Sequence, residues 1–166
     1  KIGLRGSFNL YRITGSEPVL GESSFDHLLK VIEIILNTEP RSKFILETNG
    51  LMLGYKEGLA QKLSFSRLLV RIALKGVDPE SFEKTSGAKK EFFHYPILAA
   101  KNLENLDVRV WPALMQDLFS NSQIEKLKHS LQESGIESDL ELEGLERYPF
   151  VLDNLNQRGI FLLDNR

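Results

Sequence analysis

The residues best suited to bind a charged ligand follow the first strand-like run of the sequence, as Gly15-Ser16-Glu17-Pro18. The run Leu10–Thr14 predicts a strand that ends directly before them. Glycine lets a ligand approach the backbone, the Glu17 carboxylate can pair with an ammonium group, and proline holds the turn rigid. The alternative is an ordinary strand-to-helix turn with a solvated glutamate.

Further candidates lie in, or directly after, three more predicted strands. These strands are Lys43–Thr48 with Asn49, Leu68–Leu74 with Arg71 and Lys75, and Val108–Leu114 with Trp111. Because side chains alternate between the two faces of a strand, Arg71 and Lys75 share one face. The same rule pairs residues of the other strands, namely Arg12 with Thr14, Glu47 with Asn49, and Arg109 with Trp111. Each strand is therefore expected to have one apolar face and one face that carries a charge.

Helical patterns alternate with these strands, which favours parallel α/β architecture. The expected helices cover about 24–37, 55–63, a short stretch from Pro79, 91–105 and 122–135, and Asp78 is the expected N-cap of the short one. After them come a possible strand at Asp139–Leu142 and an amphipathic stretch at 151–155. A doubly wound sheet needs near-continuous apolar strands, so the charged faces fit an open barrel better. We therefore expect one domain, with a core of about 8–135 and a C-terminal extension of 136–166.

Four segments together resemble the radical S-adenosylmethionine enzymes. Gly15-Ser16-Glu17-Pro18 resembles the Gly-Gly-Glu-Pro that ends the second strand of that family, and 46–50 is similar to its third-strand ending Thr-Asn-Gly. Segment 70–80 resembles the fourth-strand region of radical activating enzymes and their archaeal relatives, and 109–115 is similar to the fifth strand. The sequence departs from the family at Ser16, where relatives have a second glycine, and at Ala73, where many have serine or aspartate.

The resemblance implies a fold, a reaction and two cofactors. The fold is a partial (β/α) barrel of the radical S-adenosylmethionine type, here without its N-terminal strand and cluster loop. In the intact protein three cysteines of a Cys-x3-Cys-x2-Cys loop would hold a [4Fe-4S] cluster. An electron donor would drive reductive cleavage of S-adenosylmethionine to a 5′-deoxyadenosyl radical, which abstracts hydrogen from an unknown substrate.

The resemblance also implies roles for particular side chains. Glu17, with backbone groups of Gly15 and Ser16, would hold the methionine ammonium group. Arg71, and after it Lys75, would take the methionine carboxylate or the ribose, which Asn49 would also reach. Trp111 would border the adenine or the substrate. The expected cofactor-binding set is Gly15, Ser16, Glu17, Pro18, Asn49, Arg71, Lys75 and Trp111.

Composition excludes several other functions. The 21 basic and 23 acidic residues give a formal charge of −2, without the basic excess typical of nucleic-acid binders. No apolar run of about 18 residues and no secretion leader is present, so we expect a cytoplasmic protein with no membrane partner. The sequence contains no cysteine, which excludes disulfides, thiolate-bound zinc and a cysteine-held cluster within these residues. The three histidines stand at unrelated positions, and we predict neither a metal ligand nor a catalytic residue here.

Two other classes of function remain open from the sequence. A degenerate barrel that has lost its cluster could be a non-catalytic binding or scaffold module. A different β/α enzyme, such as a phosphate-binding barrel, would show the same alternation of elements. That enzyme should have a glycine-rich phosphate loop late in the chain, which Gly144 and Gly159 do not form.

The first prediction concerns the parent gene. It should encode at least one further strand and a three-cysteine loop upstream of Lys1, because the second-strand motif lies so near the start of the sequence. The 166 residues alone should bind no iron and should bind S-adenosylmethionine more weakly than micromolar, which is about −8 kcal/mol. An upstream region without cysteines would favour the scaffold function, and micromolar binding in calorimetry would contradict the second expectation.

Overall fold

The computed structural model describes residues 8–163 and consists of a five-stranded parallel sheet with helices between the strands. The strands are β1 (Leu10–Ile13), β2 (Lys43–Thr48), β3 (Leu68–Leu74), β4 (Arg109–Met115) and β5 (Glu141–Glu143). The helices are α1 (Glu22–Thr38), α2 (Leu51–Tyr55), α3 (Glu57–Gln61), α4 (Pro79–Ser86), α5 (His94–Glu104), α6 (Asn121–Glu133) and α7 (Pro149–Gln157). Single 3-10 turns occur at Lys90–Phe92 and Gln116–Leu118.

The sheet has the strand order β1-β2-β3-β4-β5, and every neighbouring pair is parallel. The two edge strands do not pair with each other, so the sheet is curved but not closed. This confirms the expectation of a partial β/α barrel. All five strands point the same way, so their carboxyl ends lie along one edge, where ligands of parallel α/β folds bind.

The helices bury one face of the sheet. The strand residues in the core all have the parity that the sequence assigns to the apolar face: Phe44, Leu46, Leu68, Val70, Ile72, Leu74, Val110 and Leu114. Against them pack apolar stripes of several helices, such as Phe25, Leu28, Ile32 and Leu36 from α1. The opposite, concave face carries the charged residues, so strand parity predicted correctly which face would be polar.

Local signals explain where several elements begin. Asp78 accepts a hydrogen bond from the Ser81 backbone N–H at 2.7 Å, and Pro79 takes the first position of α4, as the sequence predicts. Helix α6 begins earlier than expected, because Ser120 is its N-cap and exchanges bonds with Gln123 in a capping box. Strands β2 and β3 have the predicted bounds.

The region between β2 and β3 differs from the sequence prediction. The expected helix over 55–63 is replaced by α2 and α3, which meet at Lys56. Gly50 adopts φ 74°, which allows the chain to turn and start α2 directly after the Asn49-Gly50 pair. Asn49-Gly50 therefore marks the start of a helix, which begins at Leu51 rather than at the expected Tyr55.

Strand β5 lies after residue 135, where the sequence analysis placed the boundary between core and extension. It pairs with β4, and the nearby Ile136 is part of the apolar core. Further on, the Leu145 N–H donates to the Asp117 carboxylate and the Leu163 N–H donates to the Asp117 carbonyl, both at 2.7 Å. Asp117 thus fastens the C-terminal segment to the carboxyl end of β4.

None of the helices described is long and apolar enough to cross a membrane.

The packing of α2 against α5 generates a stability prediction. A Cβ atom at Gly54 would lie 2.7 Å from the Tyr95 carbonyl carbon and would also overlap the carbonyl oxygen. We expect Gly54→Ala to lower the free energy of unfolding by about 1–3 kcal/mol through overpacking. Gly58→Ala in α3 is the matched control. Its Cβ would have no neighbour within 4 Å, and it should raise stability by about 0.5–1 kcal/mol. Urea unfolding of both variants tests this, and equal stabilities would contradict the packing.

Candidate functional site

A cavity of about 380 Å³ opens at the carboxyl ends of β1, β2 and β3. Its lining includes six of the eight predicted cofactor-binding residues: Gly15, Ser16, Glu17, Asn49, Arg71 and Lys75. Ala73 also lines it, with a methyl group where a hydroxyl or carboxylate was the family expectation. Pro18 and Trp111 are not part of the lining. The structure thus brings together residues from three loops that are far apart in sequence.

Glu17 connects two of these loops. Its Oε1 atom accepts hydrogen bonds from the Thr48 hydroxyl at 2.6 Å and from the Val19 N–H at 2.9 Å. Its Oε2 atom accepts from the Asn49 N–H at 2.6 Å. Such short bonds to an ionised acceptor are stronger than neutral ones. The carboxylate therefore fastens the loop after β1 to the end of β2, and the alternative of a solvated turn residue is wrong.

The neighbouring loop residues are available to a ligand. Gly15 adopts φ 106°, a conformation that favours glycine, and both Gly15 and Ser16 are exposed. Within residues 8–163, no backbone bond uses their N–H or C=O groups. The Asn49 side chain is half committed, because its Oδ1 atom accepts from the Leu51 N–H at 2.9 Å. Its amide NH₂ remains a donor toward the cavity.

Arg71 is the buried charge of the site, with only 4% of its surface exposed. Its Nε donates to Glu141 at 2.9 Å, one terminal nitrogen donates to Glu143 at 2.6 Å, and the other lies 3.3 Å from Glu47. A buried guanidinium requires such partners, because an unpaired charge in the interior is very costly. Arg71 lines the cavity as predicted, but each of its three nitrogens already has a protein carboxylate as a partner.

The charged cluster crosses the whole sheet. Glu47, Arg71 and Trp111 stand side by side on β2, β3 and β4. Arg12 of β1 pairs with Glu47, and the Trp111 indole N–H donates to Glu141 of β5. Each of the five strands therefore contributes to one connected row of polar side chains on the concave face.

This network changes the proton affinity of its members. Its hydrogen bond with Arg71, helped by the bond from Trp111, holds the pKa of Glu141 below its ordinary value against the opposing effect of burial. Burial lowers the pKa of Arg71, but its bonds and attraction to Glu141 and Glu143 raise it by more. Both shifts favour the ionised forms of Glu141 and Arg71.

Lys75 differs from Arg71 although the two share a strand face. Its side chain is exposed at the cavity mouth, and none of the described side chains pairs with its ammonium group. Trp111 lines a separate cavity of about 370 Å³ with Arg109 and Glu141. Trp111, predicted to border the adenine or the substrate, therefore does not line the first cavity. Between residues 8 and 163, no group of three or more His, Asp or Glu side chains could hold a metal ion.

Sequence reasoning missed three residues of the site: Thr48, Glu141 and Glu143. Thr48 had a signal, because it belongs to the Thr-Asn-Gly ending and is the one hydroxyl in the otherwise apolar row that includes Phe44 and Leu46, but the sequence analysis assigned it no part in binding. The two glutamates lie in and directly after Asp139–Leu142, where the sequence predicted a possible strand and no binding residue. Their pairing with Arg71, about 70 residues away, leaves no mark in local sequence.

The comparisons with known proteins concern the fold. No protein-family model and no curated protein matches the chain. Similar solved structures include Streptococcus suis SuiB bound to S-adenosylmethionine, with 17% identity, a TM-score of 0.60, and coverage of 93% of this chain and 36% of that one. Native anSMEcpe with bound AdoMet has 16% identity and a TM-score of 0.61, and the match covers 85% of this chain and 40% of that one. SuiB bound to the precursor peptide SuiA has 17% identity, a TM-score of 0.61, and coverage of 92% and 37%.

These neighbours are radical S-adenosylmethionine enzymes, so the chain has a fold of that type. At identities of 16 to 17% the likeness shows the fold alone. The chain spans less than half the length of the enzymes that it resembles.

The different environments of Arg71 and Lys75 generate a prediction about stability. Arg71→Met should lower the free energy of unfolding at pH 7 by about 3 kcal/mol, because three carboxylates lose their shared cation. Lys75→Met, on the same strand face, should change it by less than about 0.5 kcal/mol. Denaturant unfolding of both variants measures the difference.

The stability that the Arg71–Glu141 ion pair contributes should depend on pH. Because the folded-state pKa of Glu141 is lowered, its contribution to stability is complete above the unfolded pKa near 4.5 and is lost as the pH falls through the folded value. The deficit of Arg71→Met relative to the parent sequence should therefore shrink below about pH 4.5. A deficit that does not change between pH 7 and pH 3 would contradict the ionic origin of the effect.

Proposed function

We propose that the intact protein containing this chain is a radical S-adenosylmethionine enzyme, and that the cavity at the carboxyl edge of its sheet binds the methionine end of S-adenosylmethionine. The observation that carries the proposal is the position of this cavity, which joins backbone groups of Gly15 and Ser16 with the free cation Lys75. The cavity lies in a fold whose solved neighbours contain S-adenosylmethionine.

The donors and acceptors of the cavity fit this ligand. The methionine end carries an ammonium group, which needs acceptors, and a carboxylate, which needs a cation. The carbonyl groups of Gly15 and Ser16 are available acceptors, and the Lys75 ammonium is an available cation. The free amide donor of Asn49 suits a ribose hydroxyl.

The occupied partners of Arg71 revise the order of the predicted ligand contacts. A guanidinium with three carboxylate partners gains little from a fourth, and its release would leave acidic groups partly buried and unpaired. Lys75 gives up no protein partner when it binds a carboxylate. We therefore assign the methionine carboxylate to Lys75, and we assign to Arg71 the support of the cavity wall.

When bound with its cluster, S-adenosylmethionine supplies a 5′-deoxyadenosyl radical for hydrogen abstraction from a substrate. These 166 residues contain no cysteine, so the three thiolates of a [4Fe-4S] cluster would come from outside them. In this division of labour the chain orients the cofactor and shields it from water. The substrate and the electron donor are partners that these residues do not identify.

The next prediction tests the role of Lys75. In the parent protein with its cluster reconstituted, Lys75→Met should weaken S-adenosylmethionine binding by about ten- to a hundredfold, which is the effect of losing a charge-assisted hydrogen bond of about 1.5–3 kcal/mol. Lys126→Met, at an exposed position of α6, is the matched control and should bind like the parent. Titration calorimetry under anaerobic conditions measures both affinities.

One outcome would count against the assignment of Lys75, and two would count against the proposed function. Unchanged affinity in Lys75→Met would remove Lys75 from the site. Absence of any binding to the cluster-loaded parent would defeat the proposed function, as would a parent protein that takes up no iron, and would leave the non-catalytic scaffold as the better account.

A further inference from the structure

Thr48 is a hydroxyl residue at the end of an apolar row. It follows Phe44 and Leu46 on the helix-covered face of β2, and only 3% of its surface is exposed. A hydroxyl buried there costs about 1–3 kcal/mol unless it is hydrogen-bonded, and valine would fill the same volume without that cost. The position therefore has a use for the oxygen that packing alone does not explain.

The bonds of Thr48 show what the oxygen does. Its Oγ1 donates to the Glu17 carboxylate at 2.6 Å and accepts from the Gly50 N–H at 3.1 Å. Glu17 also accepts from the Asn49 N–H, so two bonds to one carboxylate join the loop after β1 to the end of β2, and a third bond, from the Gly50 N–H, holds the Thr48 hydroxyl in place. We name this set of contacts among Glu17, Thr48, Asn49 and Gly50 the loop clamp.

The loop clamp acts on the part of the chain that faces the cavity. Glu17 directly follows Gly15 and Ser16, whose backbone groups are free, and its carboxylate is turned toward β2. A loop without this anchor would lose entropy when it orders around a ligand, whereas the anchored loop is already ordered. The bond from Thr48 is the one link of the clamp made by a side-chain donor.

We infer that Thr48 is a positioning residue for the cofactor: through Glu17 it holds the backbone of Gly15 and Ser16 in the orientation that receives the methionine ammonium group. This inference rests on the proposed function. It changes the role expected for Glu17: its carboxylate orders the loop, and the backbone groups of Gly15 and Ser16 contact the methionine ammonium group. It also gives a role to Thr48, which belongs to the Thr-Asn-Gly ending but to which the sequence analysis assigned no part in binding.

The test uses the cluster-reconstituted parent protein and two substitutions that separate volume from hydrogen bonding. Thr48→Val keeps the volume and removes the hydroxyl, and it should weaken S-adenosylmethionine binding by about tenfold. Thr48→Ser keeps the hydroxyl and should bind within about threefold of the parent, a difference near 0.6 kcal/mol. The change in the electron paramagnetic resonance spectrum of the reduced cluster on titration with S-adenosylmethionine reports binding directly.

A double-mutant cycle separates positioning from a general loss of stability. In a Glu17→Gln background, Thr48→Val should change the affinity by less than about threefold, because the contact that it removes is already weakened. In a Lys75→Met background, by contrast, Thr48→Val should weaken binding by the same factor as in the parent, since Lys75 belongs to a different loop. Equal effects of Thr48→Val in the parent and in Glu17→Gln would show a merely structural role and overturn the inference.

The remaining outcomes are also decisive. Parent-like affinity in Thr48→Val overturns the inference and leaves the proposed function intact, whereas a cluster-loaded parent that binds no S-adenosylmethionine overturns both. If Thr48→Val does not fold, Glu17→Gln tests the same contact from the other side. The inference predicts about tenfold weaker binding for it, and parent-like binding would overturn it.

Discussion

The buried guanidinium of Arg71 connects the middle of the sheet to its outer strand. It bonds to carboxylates from β2 and β5, and Glu47 in turn pairs with Arg12 of β1. Strand β5 has only three residues, so its own backbone pairing with β4 provides little stability. The two bonds from Arg71 to Glu141 and Glu143 attach this short strand to the middle of the sheet. The charges on the concave face are thus paired with one another although the sheet does not close into a barrel.

The division of labour at the cavity follows from this network. Charges with protein partners, such as Arg71 and Glu17, set the shape of the wall and of the loops. Groups without such partners, Lys75 and the backbone of Gly15 and Ser16, are left to meet a ligand. Because ordering is completed inside the protein, binding does not have to supply it, which is the general advantage of a preorganised site. The same logic explains why residue type alone is a poor guide to which arginine or glutamate touches the ligand.

Local sequence signals were sufficient for the strands and insufficient for the partners. Alternation over Leu68–Leu74 predicted both its bounds and the face that carries Arg71, because a period of two is a property of the strand itself. The position of α2 was missed, since Asn49-Gly50 is compatible with a plain turn and with a helix start. Two of the three partners of Arg71, Glu141 and Glu143, lie about 70 residues away in sequence, and only the fold brings such distant segments together. The resemblance singled out six residues that line one cavity, but it could not distinguish those with free donors or acceptors from those already paired.

The central claim is that the methionine end of S-adenosylmethionine lies at the carboxyl edge of this sheet, between the loop after β1 and the end of β3. A crystal structure of the cluster-reconstituted parent protein with bound S-adenosylmethionine tests it most directly. The account predicts the methionine ammonium group at the backbone of Gly15 and Ser16, the methionine carboxylate at Lys75, and Arg71 still bonded to Glu141 and Glu143. A ligand bound elsewhere, or an Arg71 that has left both glutamates to bind the ligand, would contradict it.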